Sequence, residues 1–379
     1  MKRDGWSVKR LGEVCEIFNG RNQKKVEDIN GKYPIYGSGG IMGYANDYIC
    51  RAGTTIIGRK GSINKPLYVD KDFWNVDTAF GLQPKDCCHS RFLYYLCRSI
   101  DFTRYDKGVT IPSLVKSDLL QIPVSLPPLP EQSLIVEELD RLSSILEKKR
   151  QQLSDLDNLA QSIFYEMFGD PVRNEKGWEV KPLKENVYEM FLGPFGSALK
   201  VDSYVDRVDA YCMVYEQKHA IQGSLDVTTH YISKEKYESL KRFEVRAGDF
   251  IMSCRGTIGK LYQLPLNAPM GIIHPSLMKI RVKEDAYHSM YFKFMLVKVV
   301  ANESTNGNCV QMAITAKELG NRELSLPPLP LQHLFAQKVE AIEQEKALIK
   351  QSIKEVQELL DSRMEEYFGG VEEKTSFIR

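Results

Sequence analysis

Two short stretches of the chain carry the side chains best suited to hold a ligand. Arg59, Lys60, Ser62, Asn64 and Lys65 crowd around Gly58 and Gly61, and Arg255, Thr257 and Lys260 crowd around Gly256 and Gly259. A glycine-bearing turn lets a polyanion backbone approach closely. Arg or Lys beside it reaches phosphates and guanine edges, while Ser, Thr and Asn supply hydrogen bonds. A second pair of stretches repeats the mixture, with Lys107 and Thr110 in the first half and Asn306, Asn308 and Gln311 in the second. The same features describe an ordinary hairpin corner, so residue types alone leave both readings open.

Groups that break bonds are not found. No paired carboxylates and no Ser-His-Asp set stand out, and His89, His219, His230, His274, His288 and His333 share no ligand spacing. The eight cysteines form no CxxC pair, so a four-ligand zinc site is not expected. Their scatter fits a reduced, cytoplasmic protein. Gly37-Ser38-Gly39-Gly40 is no phosphate loop, because G-x-x-x-x-G-K-[ST] occurs nowhere in the chain. The residues predict binding without catalysis, and neither a metal nor a cofactor.

The elements that must position these turns come in two copies. Ser125-Leu126-Pro127-Pro128-Leu129-Pro130 recurs as Ser325-Leu326-Pro327-Pro328-Leu329-Pro330, and Gln132 and Phe168-Gly169 recur at the same offset of 200. After each Pro-rich stretch the apolar residues step by four and three. The first seam is Ile135, Leu139, Leu142, Leu146, Leu153, Leu156 and Ile163, with Lys149 in one slot. The second is Phe335, Val339, Ile342, Ile349, Ile353, Val356 and Leu360, broken by Lys346 and Arg363. These are heptad seams, and Pro130 at the start and Gly169 at the end suit a helix entry and stop. A one-faced helix of about 38 residues, roughly 57 Å long, needs a partner. The block between the copies returns the chain close to where it left, so the two helices should run antiparallel.

The blocks between the helices read as mixed strands and short helices, with strands at Thr54–Gly58, Leu67–Val69, Phe250–Ser253 and 276–282, and helical stretches at Phe92–Cys97 and Met290–Val297. At 379 residues, with 43% hydrophobic and 27% charged residues, the chain can bury sizeable cores. It has no run of about 20 apolar residues and no apolar N-terminal segment, so no membrane span or secretory signal is expected. The net charge of +1 hides alternation: +6 over 1–124, −4 over 125–169, +2 over 170–324 and −3 over 325–379. Basic blocks point weakly to polyanions.

The layout resembles the specificity subunit of type I restriction-modification enzymes. The resemblance is carried by Tyr36-Gly37-Ser38-Gly39-Gly40, Ile57-Gly58-Arg59-Lys60-Gly61-Ser62, Phe73-Trp74 with Asp77-Thr78, Arg255-Gly256-Thr257-Ile258-Gly259, Pro275-Ser276-Leu277-Met278, and both Leu-Pro-Pro-Leu-Pro segments with Gln132 and Gln332. It spans essentially the whole chain. One departure is Leu331, where the first copy has Glu131.

The resemblance implies an α+β fold with two tandem, pseudo-repeated, mixed α/β target-recognition domains separated by two long helices in an antiparallel coiled coil. The expected bounds are 1–125 and 170–325 for the recognition domains, 126–169 and 326–370 for the spacer helices, and 371–379 for a tail. It implies double-stranded DNA as ligand, read as a bipartite, asymmetric site. It implies two modification (methyltransferase) subunits and ATP-dependent restriction subunits as partners, with the catalysis in those partners and no membrane. The competing reading is a coiled-coil scaffold that never touches DNA.

Overall fold

The computed structural model describes residues 5–305 and 313–369, so Asn306, Asn308 and Gln311 lie outside the described residues. Contacts divide the chain into two compact units, 1–152 with 349–379, and 153–348.

In the first unit an antiparallel sheet has the order β2 (Cys15–Asn19), β8 (Ala79–Pro84), β5 (Thr54–Gly58), β6 (Leu67–Val69). Strand β5 is buried along its whole length, and its Thr54-Thr55-Ile56-Ile57 run fits a strand covered on both faces. A second sheet has the order β4 (Gly40–Ala45), β3 (Tyr33–Gly37), β7 (Trp74–Asn75), with β3 antiparallel to β4 and parallel to β7. Helix α2 (Ser90–Ser99) buries Phe92, Leu93, Tyr95 and Leu96 in one core with Ile17, Ile57 and Leu82 of the first sheet. Strand β1 (Ser7–Arg10) pairs with β9 (Pro123–Leu126), and the short helices α1 (Leu11–Val14) and α3 (Lys116–Leu119) flank that ribbon.

The second unit repeats the plan. One sheet has the order β11 (Val187–Leu192), β18 (Leu277–Val282), β15 (Phe250–Ser253), β16 (Leu261–Gln263). The other has the order β13 (His230–Ile232), β12 (Cys212–Tyr215), β17 (Gly271–Ile273), β14 (Glu244–Val245), with β12 parallel to β17. Strand β10 (Val180–Pro182) pairs with β19 (Glu323–Ser325) as β1 does with β9. The helices are α5 (Gln217–Gln222), α6 (Lys234–Leu240), α7 (Ser289–Thr305) and α8 (Ala316–Gly320).

Two 40-residue helices, α4 (Leu129–Phe168) and α9 (Leu329–Phe368), pack together and run antiparallel. In the first unit Arg363 of α9 meets Glu138 of α4 at 2.9 Å, and Leu139 and Leu146 share a core with Leu360, Ile353 and Val356. In the second unit Lys346 meets Asp157 at 2.7 Å, and the Phe164 ring lies 5.6 Å from that of Phe335. Every seam residue named from the sequence is buried or half-buried. Lys346 and Arg363 keep their charge at the margin of the seam by pairing with acids. Phe164, outside the heptad count, is fully buried while Ile163 is only half-buried. The reason is that this end of α4 also meets Tyr291 and Phe294 of α7.

The repeated glutamine is a buried clamp. Gln132 accepts from the His89 amide at 2.7 Å and donates to the carbonyls of Cys87 and Pro127 at 3.0 and 2.8 Å. Gln332 makes the same three bonds, with His288, Ala286 and Pro327, at 2.8, 3.0 and 2.8 Å. The Glu131-to-Leu331 departure has a local answer. Trp6 donates to Glu131 at 2.8 Å, while Trp178 donates to the Phe168 carbonyl at 2.9 Å.

Candidate nucleic-acid interface

The basic turn of the first unit leaves β5 at Gly58. The Arg59 and Lys60 amides donate to the Thr78 carbonyl at 2.8 and 3.2 Å, which sets Asp77-Thr78 behind the turn. Gly61 adopts φ +77°, a left-handed conformation that glycine enters without a Cβ penalty. Lys60, Ser62 and Lys65 are exposed, and the half-exposed Arg59 guanidinium lies 5.8 Å from the Phe80 ring centre. Asn64 braces the protein itself, since it accepts from the Phe102 amide at 2.9 Å and donates to Asp101 at 3.1 Å.

Pairing brings the second predicted stretch to this turn. The Leu114 amide donates to the Arg59 carbonyl at 2.9 Å and the Gly61 amide to the Pro112 carbonyl at 3.1 Å. The loop 106–113 therefore stands beside the basic turn, and Lys107 and Thr110 are exposed on it. Lys107 lies 3.4 Å from Asp118. The Asp106 carboxylate accepts from the Ser113 and Gly108 amides, each at 2.7 Å, and those bonds hold it below the usual carboxylate range.

The second unit builds the same corner. The Cys254 amide donates to the Ser276 carbonyl and the Ile314 amide to the Cys254 carbonyl, at 2.9 and 3.1 Å. Arg255 bridges to Ala313 as Lys60 does to Ser113. Arg255, Thr257 and Lys260 are exposed, and the turn is held by Ser253, whose hydroxyl accepts from the Lys260 amide at 2.9 Å and donates to the Thr257 carbonyl.

Beside this corner stands a polar cluster that the sequence did not single out. Gln217 donates to the Arg255 carbonyl at 2.6 Å. Glu216 pairs with Lys218 at 2.9 Å and His230 at 3.0 Å, and His230 stacks on Tyr204 with ring centres 4.3 Å apart. Burial pushes the Glu216 carboxyl up, yet the bonds from Lys218 and His230 outweigh it and leave the group below its usual range. Burial lowers His219 and His274, the latter bonded to Ser276 at 2.9 Å. No spacing signal marks these residues, because strand pairing among β12, β13 and β17 assembles them. Among the described residues no group of His, Cys, Asp and Glu could hold a metal. Burial pushes the Cys15, Cys50 and Cys88 thiols up to about 12, so they stay protonated.

The described residues thus form a repeated mixed α/β domain with a glycine-bearing basic turn in each copy, joined to a long helix pair. A family model, the type I restriction modification DNA specificity domain, matches residues 3–155 and 214–358, and the chain belongs to this family. The type I restriction enzyme EcoDI specificity subunit of Escherichia coli is 22% identical over 371 residues, covering 89% of this chain and 81% of that one. The crystal structure of the S subunit of a type I restriction-modification system from M. genitalium has the same fold. It superposes with a TM-score of 0.59 at 15% identity, over 98% of both chains. A structure described for complex assembly and conformational transition of the type I R-M system gives a TM-score of 0.60 at 19% identity, over 96% of this chain and 97% of that one. Among the described residues no helix is long and apolar enough to cross a membrane.

Proposed function

We propose that this chain is the non-catalytic DNA-reading subunit of a cytoplasmic type I restriction-modification complex. Residues 1–125 and 170–325 each read one half of a split, asymmetric site in double-stranded DNA. Residues 126–169 and 326–370 are the spacer, followed by a tail at 371–379. Two modification subunits and the ATP-dependent restriction subunits dock on the chain and supply methylation and cleavage. The observation that carries this reading is one corner built twice by the same hydrogen bonds, with different side chains on it. Cations on each corner gain affinity by releasing counterions, and the remaining polar groups read base edges.

Methylome sequencing of cells with and without this gene, together with its modification partner, tests the reading. A split motif should appear only when both are present. Gel shifts of the complex should weaken steeply as salt rises. A scaffold that never touches DNA would give neither result. Whole heptads inserted into or deleted from both α4 and α9 should change the unread spacer inside the motif. An unchanged spacer after such edits would refute the ruler role of the helices.

A further inference from the structure

Resting on that reading, we propose that Val109 and Ile111 form an apolar tip that enters a groove of duplex DNA and packs against the apolar surface of the bases. Single exposed aliphatics are normal on protein surfaces. This pair differs in three respects.

Its two members crown one loop: Val109 is fully exposed and Ile111 is 60% exposed, with Thr110 between them. The loop is braced from below, because Asp106 accepts from the Gly108 and Ser113 amides and the Lys107 amide donates to the Ser113 carbonyl at 2.9 Å. A Cβ on Gly108 would sit 1.9 Å from the Ile111 carbonyl oxygen, so the tight turn depends on glycine there. The tip is therefore held outward and does not fold back onto the protein.

The third respect is its neighbours. The Gly61–Pro112 hydrogen bond sets the tip beside the turn that carries Arg59, Lys60 and Lys65, and Lys107 lies on the loop itself. Cations around an apolar point match the charge pattern of a groove, phosphates at the rim and base surface within. The cations attract any duplex. Val109 and Ile111 add contact with a thymine methyl or an opened base step, both of which depend on sequence.

The test uses the full chain in complex with its modification subunit. Selection from random duplexes with the wild-type complex supplies the bound DNA. Val109→Ser and Ile111→Ser should each bind that duplex about tenfold more weakly, with unfolding temperature unchanged because both side chains are exposed. Their salt slope should stay at the wild-type value, since no phosphate contact is lost, whereas Lys107→Ala should reduce it by about 1. Substituting uracil for thymine, position by position, reveals a methyl contact. A 2-aminopurine signal that the double Ser variant abolishes reveals an opened step. Either result identifies the apolar partner.

Wild-type affinity in both Ser variants, or a reduced salt slope in them, overturns the proposal. So does loss of assembly with the modification subunit before DNA is added, which would make the tip a protein contact. Failure of the wild-type complex to enrich any duplex removes the DNA-reading assignment and the tip with it. The other negative results remove the tip alone.

Discussion

The two units share a frame and differ in what they hang on it. Strand β3 ends at Tyr36-Gly37 and its counterpart β12 at Tyr215, with Glu216 next in the chain. The carbonyls of Tyr36 and Tyr215 accept from equivalent amides, Val76 at 3.0 Å and His274 at 2.8 Å. From there the chains part. The first unit turns back through Ser38-Gly39 into β4, leaving Ile41 and Met42 exposed. The second enters α5 and gathers the Glu216, Lys218 and His230 cluster. Backbone bonds near the corner are repeated while side chains next to it are not. A scaffold of this kind can carry two unlike polar surfaces without refolding.

The units also differ inside. Where the first has Thr54 donating to Gln83 at 2.6 Å, the second has Asp249 bound by Arg281 at 2.6 and 2.8 Å and facing the buried Lys279 at 3.4 Å. A neutral pair in one core thus stands against an ionic network in the other. Asp249→Asn leaves Lys279 and Arg281 to share Glu189, at 2.5 and 3.3 Å, as their remaining carboxylate partner and should cost about 3 kcal/mol. Thr54→Val removes one neutral hydrogen bond and should cost about 1–2 kcal/mol. Denaturant unfolding of the full chain checks this, with Trp178 reporting on the second unit and Trp6 and Trp74 on the first. Equal losses would break the contrast.

The glutamine clamps test the opposite point. Gln132→Ala and Gln332→Ala each strand one amide and two carbonyls, at a cost of about 2–3 kcal/mol. The two costs should agree, because the bonds match partner for partner. A gap above about 1 kcal/mol between them, measured by the same unfolding experiment, would show that the shared frame is not energetically shared.

These contrasts also mark what the sequence could reveal. Periodicity carried the helices, because a seam residue must recur every three or four positions whatever it packs against. The repeat exposed Gln132 and Gln332 together with Pro127 and Pro327, but not their other partners, which lie 43 to 46 residues away along the chain. Arg59, Lys60, Arg255 and Lys260 were legible as a type of turn, since glycine and cations are local signals. That Lys107 would lie beside Lys60 was not, because the Lys60–Ser113 bridge is made in space. Asn64 is legible as a polar residue on that turn, but its bonds to the Phe102 amide and the Asp101 carboxylate are not, since they too are made in space. The Glu216–His230 pair and the Asp249–Lys279 pair left no trace, since sheet topology alone brings them together.

The smallest expected effect is a difference in acid sensitivity. Glu216 occupies the position that Gly37 holds in the first unit, so only the second unit has a carboxylate there. The bonds from Lys218 and His230 depress its titration below the ordinary value of 4.5 despite burial. A depressed carboxylate stabilises the fold fully above its unfolded value, and that contribution fades as pH falls through the folded value. The stability gap between wild type and Glu216→Gln should therefore shrink below about pH 4.5. Glu189, Glu244 and Glu318 are depressed too, but they are common to both proteins and cancel in the difference. Urea midpoints read at Trp178 from pH 7 to pH 3 measure the gap. A gap that stays flat across that range would mean that Lys218 and His230 surround Glu216 without stabilising its charge. The polar surface of the second unit would then be held by its backbone.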